Sequence, residues 1–235
     1  MRLDGIEGRV ALITGASKGI GRCIAETLRD QGASVAAGAR AAPDLDGVLG
    51  LEMDVGSTVA VDEAFDRVEQ ELGPVDLLVL NAGVYVVETL EETTFESWRR
   101  TMQVNLDGAF LCARRALPSM RQRGYGRLVA VGSSAGKTGG KRPGAAYGAS
   151  KAGIMTFAKA LAFEYAADGV TVNAIAPALI ETEMIAGLSD LSGLIPVGRL
   201  GQPQDVADVV AFLCSAHAGF ITGEVVDING GFLID

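Results

Sequence analysis

A tyrosine and a lysine stand four residues apart in the stretch AAYGASKAGI, residues 145–154. Four residues make about one helical turn, so Tyr147 and Lys151 would lie on one helix face. A nearby ammonium group can lower the pKa of a phenol, which would let Tyr147 transfer a proton near neutral pH. The alternative is an incidental pair at a solvated helix start, and the spacing alone does not decide between the two.

The segment TGASKGIG, residues 14–21, places three glycines between an apolar run and an amphipathic stretch. A glycine-rich turn that links a strand to a helix lets backbone N–H groups approach a pyrophosphate. This position favours a dinucleotide site, whereas the turn taken alone would also suit a plain connecting loop.

The end of the predicted second strand, SVAAGAR, indicates which dinucleotide binds. An acidic residue here usually binds the ribose 2′-hydroxyl of NAD, while an arginine accommodates the 2′-phosphate of NADP. Ala39 stands where the acid is expected, Arg40 follows, and Lys18 adds a cation in the glycine turn. Each cation alone would suit a solvated surface, but together with the missing acid they favour NADP(H).

Short apolar runs alternate with amphipathic stretches along the chain. The patterns predict strands at 9–14, 34–38, 50–53, 77–83, 127–134, 170–177 and 224–228. They predict helices at 19–31, 58–72, 101–123, 145–167 and 203–214. Nearly continuous apolar strands separated by helices indicate a parallel sheet covered on both faces. The expected fold is therefore α/β, a single doubly wound domain over residues 1–235.

Composition narrows the function classes. The formal net charge is −9 without a basic tract, which argues against nucleic acid and anionic membrane as partners. The start of the chain has no signal-peptide pattern, and no apolar run approaches a bilayer span. The three cysteines have neither disulfide nor zinc spacing, so we expect a cytoplasmic protein. The single histidine, His217, argues against a Ser–His–Asp hydrolase or a multi-histidine metal site.

The motifs, taken in order, resemble the short-chain dehydrogenase/reductase family over essentially the whole chain. They are TGASKGIG, Asp54-Val55, NAG (81–83), Asn105 in VNLDGAF, GSS (132–134), YGASK (147–151) and Asn173…Pro177. The most similar branch in appearance is the 3-oxoacyl-[acyl-carrier-protein] reductases, on IETEM, VGRLGQPQDVADVVAFL and VVDINGGF. The resemblance implies a Rossmann fold, NADPH-dependent reduction of a carbonyl without a metal, and a homotetramer formed through the long helices and the last strand.

The resemblance also implies four catalytic residues. Tyr147 would be the proton donor, and Lys151 would lower its pKa and hold the nicotinamide ribose. Asn105 would keep open a helix kink that holds a water in the proton relay. Of two adjacent serines we expect Ser134, rather than Ser133, to bind the substrate oxygen, because the family's serine lies thirteen residues before the tyrosine.

Cofactor contacts follow from the same resemblance. Asp54 and Val55 would meet the adenine, residues 81–83 the adenosine side, and Ile180 with Thr182 the carboxamide. For Val55 and Ile180, packing in the core is an equally good explanation. The expected cofactor set is Gly15, Ser17, Lys18, Gly19, Ile20, Gly21, Arg40, Asp54, Val55, Asn81, Ala82, Gly83, Tyr147, Lys151, Pro177, Ile180 and Thr182.

The sequence leaves the substrate open. A 3-oxoacyl thioester is the leading expectation, an alcohol, sugar or cyclic-diol dehydrogenase is the second, and a non-catalytic dinucleotide sensor is a remote third. Carrier-protein reductases tend to have basic residues where this chain has Tyr125 and Asp168, and its net charge would repel an acidic carrier. An apolar segment at 181–196 is the expected substrate lid. Several cations are expected either to contact a ligand or to form a solvated rim or a subunit interface. They are Lys137, Lys141, Arg142, Arg114, Arg115, Arg121 and Arg123.

Overall fold

Seven parallel strands form one sheet in the computed structural model, which describes residues 2–140, 142–183 and 192–234. The strands are β1 (Val10–Thr14), β2 (Ser34–Ala39), β3 (Val48–Glu52), β4 (Leu77–Leu80), β5 (Gly126–Val131), β6 (Val170–Pro177) and β7 (Val225–Ile228). Their order across the sheet is β3-β2-β1-β4-β5-β6-β7. The predicted parallel sheet of about seven strands is confirmed.

Helices cover both faces of the sheet, as the apolar strands require. They are α1 (Gly19–Asp30), α2 (Thr58–Glu71), α3 (Phe95–Met102), α4 (Gly108–Arg123), α5 (Ser134–Thr138), α6 (Ala145–Tyr165) and α7 (Pro203–Cys214). One apolar core lies between the sheet and α2, α4 and α6, and the other between the sheet and α1 and α7. The described residues contain no helix long and apolar enough to cross a membrane.

The order of strands reverses at β1, which lies between β2 and β4. Open α/β sheets bind ligands in the crevice at such a switch point, beyond the carboxyl ends of the strands. The turns after β1 and β4 are tied together there. Asn81 Nδ2 donates to the carbonyl oxygens of Thr14 and Gly15, each at 2.9 Å, and Thr14 Oγ1 accepts from the N–H groups of Asn81 and Ala82.

Local structure departs from the sequence prediction in two places that shape the site. The helix predicted at 101–123 is α3 and α4 joined by a single π-helical stretch, Gln103–Asp107. The strand predicted at 127–134 ends at Val131, and the chain then begins the short helix α5 at Ser134. The hydroxyl of Ser133 caps that helix by accepting from the N–H of Ala135 at 3.1 Å, which explains the early end of the strand.

The segment predicted as a lid is only partly described, because residues 184–191 lie outside the described residues. The chain before this segment pairs with the chain after it through an isolated β-bridge between Ile180 and Gly201. In this bridge the N–H of Glu181 donates to Gly201 O at 2.8 Å. On the carboxyl side Ile195 is 5 % exposed, and the N–H of Val197 donates to Gly230 O. The lid itself stays a prediction, as does the single-domain extent of residues 1–235.

Candidate active site

A cleft of about 680 Å³ opens at the carboxyl ends of β1, β2 and β4. It gathers most of the residues predicted to bind the cofactor: Gly15, Ser17, Lys18, Gly19, Ile20, Gly21, Arg40, Asp54, Val55, Asn81, Ala82, Gly83 and Thr182. Sequence reasoning missed several of its lining residues, among them Met53, Arg100 and Glu183. Arg100 lies on α3 just before the start of the helix predicted at 101–123, so no signal pointed to it.

Two glycines of the 14–21 turn are required by close packing. A Cβ at Gly21 would lie 2.3 Å from Asn81 Nδ2 and 2.4 Å from Gly15 O. Gly15 has a φ of +66°, and a Cβ there would lie 2.7 Å from the Cα of Ala82. The first turn of α1 therefore approaches the β4 turn closely, and its N–H groups border the cleft as an anion site requires.

Three cations line this cleft, and two of them have acidic partners. Lys18 pairs with Glu183, and Arg100 Nη2 lies 3.8 Å from Asp54 Oδ2. Arg40 is exposed and has no hydrogen-bond or ion-pair partner within the described ranges. An uncompensated guanidinium at the end of β2 is suited to a phosphate group of a ligand in the cleft.

A smaller cleft of about 110 Å³ continues from the first, with Ile20, Asn81, Gly83 and Thr182 common to both. It brings together the remaining predicted residues Tyr147, Lys151, Pro177 and Ile180, and adds Ser133 and Ala178. The predicted phenol and ammonium groups thus adjoin the larger cleft.

The serine that lines the small cleft with Tyr147 is Ser133, whereas the sequence analysis chose Ser134, and the role of either serine at the substrate oxygen stays a prediction. Ser133 lines the small cleft together with Tyr147, whereas Ser134 does not line it. Ser134 is the first residue of α5, and its carbonyl accepts from Thr138 Oγ1 at 3.0 Å. The prediction assumed strand alternation and a spacing of thirteen. The strand has ended by Val131, and Ser133 stands fourteen residues before Tyr147.

Burial sets the pKa values of the tyrosine–lysine pair. Lys151 is 4 % exposed and burial lowers its pKa to about 8, while its Nζ donates to Val131 O at 2.7 Å. Burial raises the pKa of Tyr147, and hydrogen bonding to Ser133 opposes that rise. The predicted net lowering of the Tyr147 pKa is therefore wrong for the protein alone, because burial outweighs the other influences on the phenol. A raised pKa keeps the phenol protonated and able to donate.

Comparison with known proteins decides the family. Residues 15–233 match the family model described as Enoyl-(Acyl carrier protein) reductase. The chain belongs to the short-chain dehydrogenase/reductase family.

Relatives of this short-chain dehydrogenase/reductase cover nearly its whole length. It is 40% identical over 238 residues to the 3-oxoacyl-[acyl-carrier-protein] reductase of Escherichia coli K12, covering 96% of this chain and 97% of that protein. It is 42% identical over 236 residues to the acetoacetyl-CoA reductase of Rhizobium meliloti, covering 95% and 98%. A crystal structure of a candidate gluconate dehydrogenase from Agrobacterium tumefaciens superposes with a TM-score of 0.91 at 30% identity, covering 99% and 98%.

These findings establish a Rossmann-type oxidoreductase that uses NAD(P) to interconvert a carbonyl and an alcohol. The dinucleotide fits the residues present, because the large cleft is lined by the glycine turn, by the first turn of α1 and by Arg40, a cation without a partner among the described residues. Val55 and Ile180 were predicted either to contact the cofactor or to pack in the core. Each lines a cleft and also belongs to a core cluster, so its position is compatible with both roles.

Asn105 of this short-chain dehydrogenase/reductase lies in the π-helical stretch and is fully buried. Its Oδ1 accepts from the N–H of Val84 at 2.8 Å, and its Nδ2 donates to Val84 O at 3.0 Å and to Ser150 Oγ at 2.9 Å. The side chain therefore ties the loop after β4 to α6. The predicted irregular helix is present at this residue, while the role of a relay water stays a prediction.

Most cations that the sequence left open form ion pairs within the chain. Lys137 Nζ lies 2.5 Å from Asp227 Oδ2, which fixes α5 to β7. On α4 the pairs are Arg115 with Asp66 and Glu69, Arg121 with Asp168 and Glu164, and Arg123 with Asp76. Asp168 and Tyr125 are thus engaged locally, the latter with the guanidinium groups of Arg9 and Arg127 over its ring. Lys141 lies outside the described residues.

Proposed function

We propose that this enzyme is an NADPH-dependent carbonyl reductase whose substrate is a 3-oxoacyl thioester. The observation that carries the proposal is the placement of Tyr147, Ser133 and Lys151 in one small cleft that opens into the dinucleotide cleft. A proton donor, a second hydrogen-bond donor and a cation then lie where a carbonyl beside a nicotinamide would be reduced.

Each side chain has a task in this reaction. Bound NADPH supplies the hydride that the carbonyl carbon accepts. Ser133 and Tyr147 hydrogen-bond to the carbonyl oxygen, which stabilises its growing negative charge. Tyr147 then donates its phenolic proton to that oxygen, and the Lys151 ammonium stabilises the phenolate left behind.

The preference for NADPH over NADH is supported by Arg40 and Lys18. Arg40 follows β2, faces the cleft and has no acidic partner among the described residues, and Ala39 supplies no carboxylate to bind a ribose hydroxyl. Glu183 partly offsets the charge of Lys18. Arg40 is therefore the main determinant in this proposal.

Support for a thioester comes from relatives named for 3-oxoacyl-carrier-protein and acetoacetyl-CoA reduction. We favour a small thioester such as a coenzyme A ester over a carrier-protein substrate. Asp168 and Tyr125 stand where such reductases carry basic residues, and the net charge of −9 opposes an acidic carrier.

An alcohol or sugar dehydrogenase is the second candidate, supported by the structural similarity to the candidate gluconate dehydrogenase.

We also propose a homotetramer formed through α4, α6 and the last strand, where Phe110 is 46 % and Phe163 94 % exposed. Light scattering tests this assembly, and a monomer at micromolar concentration would contradict it. A cytoplasmic location stays a prediction.

The test is a panel of carbonyl substrates with NADPH and NADH in parallel. It comprises acetoacetyl-CoA, acetoacetyl carrier protein, a β-ketoester, a cyclic ketone and a keto sugar, with gluconate and NADP or NAD for the oxidative direction. The proposal expects the highest kcat/KM for acetoacetyl-CoA with NADPH. Turnover of gluconate or the keto sugar without thioester activity would replace it with the second candidate.

A further inference from the structure

Tyr85 contacts the proposed proton donor directly. The ring centroids of Tyr85 and Tyr147 are 4.7 Å apart, with an angle of 47° between the ring planes. Tyr85 lies in the loop that follows β4 and is partly buried. Aromatic pairs at this separation and tilt attract each other beyond simple area burial. The ring of Tyr85 therefore restricts the orientations open to the Tyr147 phenol.

Tyr85 also holds the chain that leads into α6. Its Oη donates to Pro143 O at 3.0 Å. A Cβ at Gly144 would lie 2.7 Å from Tyr85 Cε2, so only glycine lets the ring pack this closely. Because Tyr147 is in the first turn of α6, these contacts fix the backbone that carries it as well as its ring.

The loop that carries Tyr85 is itself tied to the Tyr147 backbone. Asn105 binds both the N–H and the carbonyl of Val84, the residue before Tyr85. Asn105 Nδ2 donates to Ser150 Oγ at 2.9 Å, and Ser150 Oγ donates to Tyr147 O at 2.8 Å. Tyr85 is thus linked to Tyr147 in two ways, directly through the two rings and indirectly through Val84, Asn105, Ser150 and the Tyr147 backbone.

We propose that Tyr85 is a positioning residue for Tyr147, which orients the phenol toward the substrate oxygen. This inference rests on the proposed function, in which Tyr147 is the proton donor. A misplacement of about 1 Å in a reacting group can cost about a hundredfold in rate. Tyr85 acts on the proton-transfer step through Tyr147, so its loss lowers kcat more than it raises the KM for the carbonyl.

Three variants test this inference. Tyr85→Leu removes the ring, Tyr85→Phe keeps the ring and removes the bond to Pro143, and Val87→Ala is the control because Val87 is a 51 % exposed neighbour in the same loop. With the preferred substrate, Tyr85→Leu is expected to lower kcat by roughly 10- to 100-fold, with NADPH affinity unchanged. Tyr85→Phe is expected to lose about threefold, the effect of one neutral hydrogen bond.

The solvent deuterium isotope effect on kcat separates positioning from a general structural role. Poor alignment of the phenol slows proton transfer, so the isotope effect rises in Tyr85→Leu and stays at the wild-type value in Tyr85→Phe and Val87→Ala. Tyr85→Met, which fills similar space without a ring, replaces the leucine variant if that protein does not fold. An unchanged kcat and isotope effect in either ring-free variant would overturn the inference.

Tyr147→Phe keeps the two proposals distinguishable. Loss of turnover in Tyr147→Phe together with wild-type kinetics in Tyr85→Leu overturns the role of Tyr85 alone. Full turnover in Tyr147→Phe overturns the proton-donor assignment, and the role of Tyr85 with it.

Discussion

Lys151 Nζ donates a hydrogen bond of 2.7 Å to the carbonyl oxygen of Val131, the last residue of β5. Lys151 is 4 % exposed, and burial lowers its pKa from 10.5 to about 8. The ammonium is therefore held where the end of β5 meets α6, beside the loop that carries Ser133. A cation kept in such a place at a cost in stability is typical of a functional group.

The lowered pKa of Lys151 predicts the pH dependence of reduction. Below pH 8 Lys151 is protonated and can stabilise the Tyr147 phenolate, and above pH 8 it loses that charge. The pKa of Tyr147 is raised above 10, so the phenol stays protonated across this range. We expect kcat/KM for the carbonyl to be level at pH 6–7 and to fall about tenfold per unit above pH 8. A profile that is level up to pH 10 would contradict this role for Lys151.

The same shift predicts that Lys151→Met is more stable than the wild type. Burial of protonated Lys151 destabilises the fold at neutral pH by about 3 kcal/mol, at 1.36 kcal/mol per pKa unit, and the methionine variant removes this cost. The variant also loses the hydrogen bond to Val131, which offsets about 1–2 kcal/mol of that stabilisation. Chemical denaturation at pH 7 should therefore show a net gain of about 1–2 kcal/mol in the free energy of unfolding, in a variant without activity.

The pH dependence of stability gives the sign of this effect. The contribution of Lys151 to wild-type stability should rise between pH 8 and 10.5, where only the unfolded state holds its proton. The stability advantage of Lys151→Met over the wild type should therefore shrink across this range. Lys159→Met, at an exposed position on the same helix, is the control. It should change neither the free energy of unfolding at pH 7 nor its dependence on pH. A Lys151→Met protein less stable than the wild type at pH 7 would contradict the account.

The two serines after β5 are predicted to differ sharply in how much their loss lowers kcat. Ser133 lines the cleft beside Tyr147, so Ser133→Ala should lower kcat by roughly 100-fold, as for loss of one donor to a developing oxyanion. Ser134→Ala removes a side chain that does not line the cleft and should remain within about threefold of the wild type. Steady-state kinetics on both variants with one carbonyl substrate make the measurement. The reverse order of effects would restore the assignment based on spacing.

Much of the fold and site follows from the sequence, and the exceptions have physical causes. The glycine turn and the Tyr147–Lys151 pair were predictable because they depend on local spacing along single elements. Ser133 was missed because a helix cap ended the strand before its alternation applied. Tyr85 was missed because it meets Tyr147 only through tertiary packing, across a separation of 62 residues in the chain. The direction of the Tyr147 pKa shift depended on burial, which spacing does not reveal.

Arg40 is predicted to set the cofactor preference. Arg40→Ala should raise the KM for NADPH by roughly 10- to 100-fold, the loss of a charge-assisted hydrogen bond to phosphate, and leave the KM for NADH near its wild-type value. Arg22→Ala is the control, because Arg22 lies on α1 and pairs with Glu26. Kinetics with each nucleotide at saturating carbonyl would decide. An unchanged ratio of the two KM values in Arg40→Ala would exclude Arg40 as the determinant.

The central claim is that Tyr147 donates the proton in reduction of a 3-oxoacyl thioester. The most direct measurement is the initial rate of NADPH oxidation with acetoacetyl-CoA, for the wild type and for Tyr147→Phe, at equal and verified NADPH binding. The account predicts rapid turnover by the wild type and a loss of at least about 100-fold in the variant, as expected for a general acid. Equal rates for the two proteins, or no turnover by the wild type, would contradict it.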